Sequence, residues 1–145
     1  MYSLFKTIYK YSKNLNEIII KYGSSLQISE EHKNISMTDE VEDKLVKFIS
    51  SNEQAKQLTV TWFGGEPLLE FKRIVSLTKK MQALNLDYQA DMITNGYLLT
   101  EKVVAMLPSL SISSLQITIN GMKAVHDSRR CLKLGAPTFD RIYVL

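Results

Sequence analysis

Apolar positions recur along the chain with two different periods, and the switches between them set the expected order of elements. Leu58-Thr59-Val60-Thr61-Trp62-Phe63 is apolar, β-branched or aromatic throughout, the pattern of a strand buried on both faces. On either side the period becomes helical. Thr38 followed by Asp39 and Glu40 marks a helix start, an N-cap hydroxyl with acids where the helix macrodipole favours them. Val41, Leu45, Phe48 and Ile49 then share one face, so this helix is expected to run to about Ser51. After the strand, Phe71, Ile74, Val75, Leu77, Thr78 and Met81 make the core face of a second helix over about residues 69–84, with Lys72, Arg73, Lys79 and Lys80 on its wet face. A third strand is expected over residues 86–93, ending in Thr94-Asn95-Gly96. Thr100 caps a third helix over 101–107, which Pro108 stops. A fourth strand is expected over 115–119, then a polar segment, then a helix opening at Thr138. The start is less regular. Residues 2–11 alternate loosely and suggest a strand, Ile18-Ile19-Ile20 fits either a short strand or a helical turn, and residues 23–36 read as a polar loop.

Strands alternating with helices in this way predict βαβ units, an α/β fold with a parallel sheet. Composition adds bounds. A chain of 145 residues, 45% hydrophobic, is enough for one core and one domain. The eighteen basic and fifteen acidic residues are scattered, and no basic run with interleaved aromatics appears, which argues against a nucleic-acid partner. No apolar stretch approaches the roughly 18 residues of a membrane span, and the start lacks the apolar run of a secretory signal. A cytoplasmic protein is expected. Cys131 is the single cysteine, so no internal disulfide forms, which agrees with a reducing compartment.

The candidate chemistry lies where the central strand stops. Gly64 and Gly65 can take positive φ and bring main chain close to a ligand or another strand, and Pro67 holds Glu66 extended at the strand's carboxyl end. Gly-Gly-x-Pro also fits a plain strand-to-helix turn. The longer string favours the first: residues 62–69 resemble the strand-two signature of radical S-adenosylmethionine (radical SAM) enzymes, in particular the sulfatase-maturing and peptide-modifying group called SPASM or twitch enzymes. Ile93-Thr94-Asn95-Gly96 with Leu98-Leu99-Thr100 is similar to that group's strand-three end. Leu115-Gln116-Ile117-Thr118-Ile119-Asn120-Gly121, His126-Asp127-Ser128-Arg129, Gly135 and Thr138-Phe139-Asp140-Arg141-Ile142 look like its strand-four region.

The resemblance implies the first half of a partial parallel barrel, four βα units in a single domain over 1–145, with 36–145 family-like and 1–35 divergent. It implies S-adenosylmethionine (AdoMet) and a 4Fe-4S cluster as cofactors, a 5′-deoxyadenosyl radical that modifies a peptide or protein side chain, and an electron donor such as flavodoxin or ferredoxin. By the same resemblance Gly64, Gly65, Glu66 and Pro67 are cofactor contacts, with Thr94, Asn95 and Gln116 behind them. Gln116 would face the barrel interior near the cofactor or pair with a polar neighbour. Asn120 stands where the family usually carries aspartate, which removes any base or cation-binding role there. His126 and Asp127, being adjacent, are expected to fix their loop, with Arg129 in a salt bridge.

The family's cluster is held by three thiolates in a C-x₃-C-x₂-C loop after strand one. Asn14-Leu15-Asn16 resembles the Asn-Leu-x that follows the first of them, which puts the ligand positions on Lys13, Glu17 and Ile20, none of them a thiol. Cys131 alone cannot hold four irons. The chain is therefore expected to assemble no cluster, either as a degenerate relative or because its first 35 residues are not family sequence, and its end inside a helix suggests a truncated product. Two expectations follow: an inactive radical SAM fragment, or a remnant that binds cofactor or peptide without catalysis. A nucleotide-binding α/β domain is disfavoured, because Gly64-Gly65 lacks the G-x-G-x-x-G spacing.

Overall fold

The computed structural model describes residues 17–22 and 37–144. Four strands, β1 (Glu17–Tyr22), β2 (Gln57–Trp62), β3 (Asp87–Thr94) and β4 (Ile112–Ile117), lie in that order in one sheet, and every neighbouring pair is parallel. Helix α1 (Asp39–Ser50) precedes β2, α2 (Phe71–Gln82) connects β2 to β3, and α3 (Glu101–Met106) connects β3 to β4. Two short helices, α4 (Lys123–Arg129) and α5 (Phe139–Tyr143), follow β4. Among the described residues no helix is long and apolar enough to cross a membrane. The Ile18-Ile19-Ile20 block resolves as strand, set against Leu58, Thr59 and Val60 of β2. Residues 2–11 and 23–36, where a strand and a loop are expected, lie outside the described residues.

The capped helices start where their caps stand. The Thr38 hydroxyl accepts from Val41 N at 3.4 Å and the Thr100 hydroxyl from Val103 N at 3.3 Å. The core lies on the helix side of the sheet, where Leu58, Val60 and Trp62 of β2 and Tyr88, Ala90 and Met92 of β3 meet Leu45, Ile49, Ile74, Leu77 and Met81 of α1 and α2. Each large apolar side chain buried there contributes about 1.5–3 kcal/mol. The other face differs from the expectation of a doubly buried strand. Thr59 is only half-buried, and along β3 exposed Gln89 and Ile93 alternate with the buried set. That second face is an open hollow of mixed polar and apolar lining rather than a second core.

Three further expectations change for physical reasons. Strand β4 begins three residues earlier than its alternation suggests, at Ile112 rather than Leu115. Helix α3 ends before Pro108, as expected, and a 3₁₀ turn over Pro108–Leu110 with Ser111 at φ 54° then swings the chain into the sheet. A bulge at Ser113 then separates Ile112 from Leu115 by three positions, hiding the period of two. Helix α4 sits in what reads as a polar segment, because His126 is its one buried side chain.

Finally, Arg73 and Lys80 are not simply wet. Glu42 of α1 is fully buried; its carboxylate meets Arg73 Nη1 at 3.0 Å and Lys80 Nζ at 2.9 Å, and the Ser76 hydroxyl donates to it at 3.1 Å. Burial alone would raise the Glu42 carboxyl, but the Lys80 and Arg73 cations and the Ser76 hydroxyl outweigh it, so the group lies below the ordinary glutamate range. Arg73 also pairs with Asp39, and Lys80 with Asp43, which locks α1 to α2.

Candidate functional site

The bend after β2 stands at the sheet's carboxyl rim. Gly64 takes φ 150°, in the positive region that favours glycine, and both Gly64 and Gly65 are exposed. Glu66 is extended at φ −154°, ψ 106°, as the following proline requires, and buried Pro67 opens a 3₁₀ turn over Pro67–Glu70. Both oxygens of the Glu66 carboxylate are engaged by the chain itself. Oε1 accepts from Leu68 N at 2.9 Å and from the Thr94 hydroxyl at 2.7 Å, and Oε2 accepts from Asn95 N at 2.9 Å. One side chain thus caps the turn after β2 and ties it to the last residue of β3.

The β3 turn is braced in its own right. Thr94 Oγ1 accepts from Gly96 N at 3.1 Å, and Asn95 Oδ1 accepts from Tyr97 N at 2.8 Å, an Asx turn. Gly96 has φ 79°, and a Cβ there would lie 3.1 Å from Ile117 Cγ2 and 3.3 Å from Ile142 Cγ2. Strand β4 and helix α5 therefore close against this turn. Arg141 of α5 adds a hydrogen bond from Nε to Tyr97 O at 2.7 Å, with its guanidinium 5.0 Å from the centre of the Tyr97 ring.

Below the rim, the face of the sheet opposite the described core helices forms a hollow of about 420 Å³ lined by Thr61, Phe63, Asp91, Met92, Ile93, Ser114 and Gln116. Register fixes its rows. Thr61 is level with Asp91 and Asp91 with Ser114, while Ile93 is level with Gln116 one step nearer the rim. Of the seven residues singled out by sequence, the structure therefore brings Gly64, Gly65, Glu66, Pro67, Thr94 and Asn95 into one braced rim. Gln116 stands apart on the hollow's wall, which is the interior-facing alternative of the two expected for it. Asp91 was missed, although an acid at an inward position of a strand's alternation is a readable signal.

The segment after β4 is held by a separate network. His126 is 1% exposed; its Nδ1 accepts from Asn120 N at 3.2 Å, which leaves Nε2 to carry the proton toward Thr138 Oγ1 at 3.2 Å. The Thr138 hydroxyl in turn donates to Arg130 O at 2.5 Å. Asp127 Oδ1 accepts from Phe139 N at 2.9 Å and Thr138 N at 2.8 Å, and these backbone donors, with Lys123 nearby, hold its carboxyl below the usual range against the opposing effect of burial. His126 and Asp127 thus fix their segment, as expected. The expected salt bridge of Arg129 is not there: Arg129 is exposed and makes no ion pair among the described residues, and it is Arg130 whose Nε donates to Asn120 Oδ1, at 2.7 Å. Helix periodicity explains the switch, since Arg130 lies four residues beyond His126 and points back at the same turn.

The ligand set does not fit an iron–sulfur cluster. Glu17 and Ile20, two positions matched to cluster thiols, sit inside β1 opposite Gln57 and Val60 rather than in a loop after it, and Lys13 lies outside the described residues. The segment that follows β1, residues 23–36, contains no cysteine either. Cys131 is exposed, beyond α4, and among the described residues no three His, Cys, Asp or Glu side chains gather in a way that would hold a metal ion. Soft iron requires thiolates in number, and the chain has one cysteine.

Comparison with known proteins gives the arrangement its relatives. Residues 21–134 match the family described as "4Fe-4S single cluster domain". The chain is 27% identical over 125 residues to the serine-type anaerobic sulfatase-maturating enzyme of Bacteroides thetaiotaomicron, a match covering 83% of this chain and 30% of that enzyme. It is 30% identical over 105 residues to the radical SAM cyclopropyl synthase TigE of Paramaledivibacter caminithermalis, covering 70% of this chain and 21% of that one. Among solved structures, native anSMEcpe with bound AdoMet and Cp18Cys peptide is similar with a TM-score of 0.69 and 25% identity, over 88% of this chain and 38% of that chain. The chain thus spans less than two-fifths of the length of these relatives. The family match covers most of the chain and the relatives agree with it: this chain belongs to the 4Fe-4S single-cluster domain family, of the radical SAM type.

Proposed function

We propose that this chain carries the cofactor-facing rim of a peptide-modifying radical SAM fold of the sulfatase-maturase kind, and that with its present sequence it binds AdoMet without cleaving it. One observation carries this reading: a glycine bend at the carboxyl end of a parallel strand, braced by three hydrogen bonds to Glu66, in a chain with a single thiol. Ligands of open α/β sheets sit at that end of the strands. The exposed main chain of Gly64 and Gly65 makes the contact; Glu66, Pro67, Thr94 and Asn95 hold its shape, and Gln116 faces the ligand from β4. The four strands with their helices form the first βα units of a partial barrel. A peptide is the partner this reading favours, by likeness to a structure with bound peptide. A flavodoxin or ferredoxin donor enters only for a form of the protein that carries the three thiolates.

The test has two parts. The metal-free chain is titrated calorimetrically with AdoMet, and the chain is separately treated with iron and sulfide under anaerobic, reducing conditions. One-to-one binding of AdoMet, with no cluster formed and no methionine released, is the expected result. Failure to bind AdoMet would refute the retained site, and about four irons per chain with methionine release would refute the loss of chemistry.

A further inference from the structure

Asp91 has no evident structural task. Its neighbours on β3 that pack the core, Ala90 and Met92, point to the helix side, whereas Asp91 lines the hollow between Thr61 and Ser114. Its Oδ1 is shielded from solvent, and no donor among the described residues reaches it. The hydroxyls on either side do not bond to it. The lysines and arginines that form ion pairs among the described residues do so on α1, α2 and α4, and Lys21 of β1 stands in the same register row, level with Thr61 and two strands from Asp91. A buried carboxylate oxygen left without a donor is costly and uncommon, so a protein that keeps one has a use for it.

The surroundings say what kind of group would complete it. Phe63 and Ile93 supply an apolar wall on the rim side, while Ser114 and Gln116 offer hydrogen bonds from β4. An anionic floor beside an apolar wall suits an alkyl stem ending in a positive charge, because the stem covers carbon while the head pairs with the acid. The hollow's 420 Å³ is ample for one such side chain. We infer that this hollow receives a cationic side chain of a peptide, an ammonium or guanidinium head, with Asp91 as its counter-ion. That the cation arrives on a peptide rests on the function proposed above; the pocket itself rests on Asp91 and its register neighbours.

The test uses the full ¹⁵N-labelled chain and two probes, acetyl-Ala-Lys-Ala-amide and the same peptide with uncharged norleucine in place of lysine. The lysine peptide is expected to shift the amide signals of Asp91, Ile93 and Ser114 saturably and to bind about tenfold or more tightly than the norleucine peptide, the effect of one charge-assisted contact. Asp91→Asn, nearly isosteric, should reduce lysine-peptide affinity to the norleucine level, with its thermal midpoint equal to or above the wild type's, since an uncompensated charge is removed, and with AdoMet affinity unchanged. Equal binding of the two peptides, or undiminished lysine-peptide binding by D91N, would overturn the inference. So would an equal loss of AdoMet affinity in D91N, which would assign the acid to the cofactor. The two proposals fail separately: a chain that binds the lysine peptide through Asp91 but ignores AdoMet refutes the function and keeps the pocket. A chain that binds AdoMet and shows no Asp91-dependent peptide binding does the reverse.

Discussion

Replacing Glu66 by glutamine tests whether the rim is braced or merely decorated. The carboxylate accepts three hydrogen bonds, two on Oε1 and one on Oε2. In the best placement, the amide oxygen of E66Q keeps Leu68 N and the Thr94 hydroxyl, which turns the amide NH₂ toward Asn95 N–H. One bond to a charged acceptor is lost, two donors face each other, and the two surviving bonds become neutral. Bonds to a charged group contribute about 1.5–3 kcal/mol each, and Glu66 is only part-buried, so the net loss should be about 2–3 kcal/mol. For a chain of this size that is roughly 6–10 °C in midpoint. Urea unfolding followed by the fluorescence of Trp62, the chain's single tryptophan, reports on the same strand end, and the midpoint should fall at constant slope. In addition, E66A and T94V should be non-additive, the double variant costing less than the sum, because both remove one shared contact. If E66Q matched the wild type within about 0.5 kcal/mol and instead weakened AdoMet binding alone, the carboxylate would be a free ligand group and the bracing argument would be wrong.

Three more outcomes are expected. E42Q should lose about 2 kcal/mol at neutral pH by leaving Arg73 and Lys80 without their buried partner. Because the folded-state carboxyl lies below its unfolded value of 4.5, the unfolded chain takes up the proton first, and the stability Glu42 contributes is present above that value and lost as pH falls through the lowered one. The gap between wild type and E42Q should therefore narrow from pH 7 toward pH 3 in urea titrations, and a constant gap would contradict the ion-pair account. G96A should cost about 2 kcal/mol in thermal unfolding, since alanine is strained at φ 79° and its Cβ crowds Ile117 and Ile142; a neutral result would mean the turn gives way freely. H126A should cost about 2–4 kcal/mol by stranding Asn120 N and Thr138 Oγ1 and leaving a cavity beside Phe139, whose ring centre lies 5.6 Å from that of His126. Nuclear magnetic resonance should show that loss first in the signals of residues 118–122 and α5, and uniform broadening across the sheet would count against a local role.

What the sequence disclosed and what it hid follow from the range of the interactions involved. Thr38, Thr100 and the Gly64-Gly65 bend were legible because caps and turns act within a few residues. Arg73 and Lys80 were misread because the partner that draws them in, Glu42, lies more than thirty residues away on another helix. The start of β4 was hidden by an extra residue at Ser113, which breaks the alternation from which strands are recognised. Asp91 was overlooked for a different reason: its inward position can be counted from the sequence, but the absence of a donor across from it is a property of three strands at once.

Glu66 shows why the family resemblance and the physics support different statements about one residue. The sequence puts a carboxylate at the rim, where resemblance makes it a cofactor contact, and in the structure both its oxygens also accept from Leu68, Thr94 and Asn95. The side chain therefore fixes the geometry of the turn, whatever further contact it makes. Among the described residues, the donors to Glu66 lie between Leu68 and Asn95, and the turn it holds is packed by Ile117 and Ile142. On the function proposed above, a chain without the cluster thiols keeps the brace on this bend, because the hydrogen bonds described for Glu66 are made by residues 68, 94 and 95.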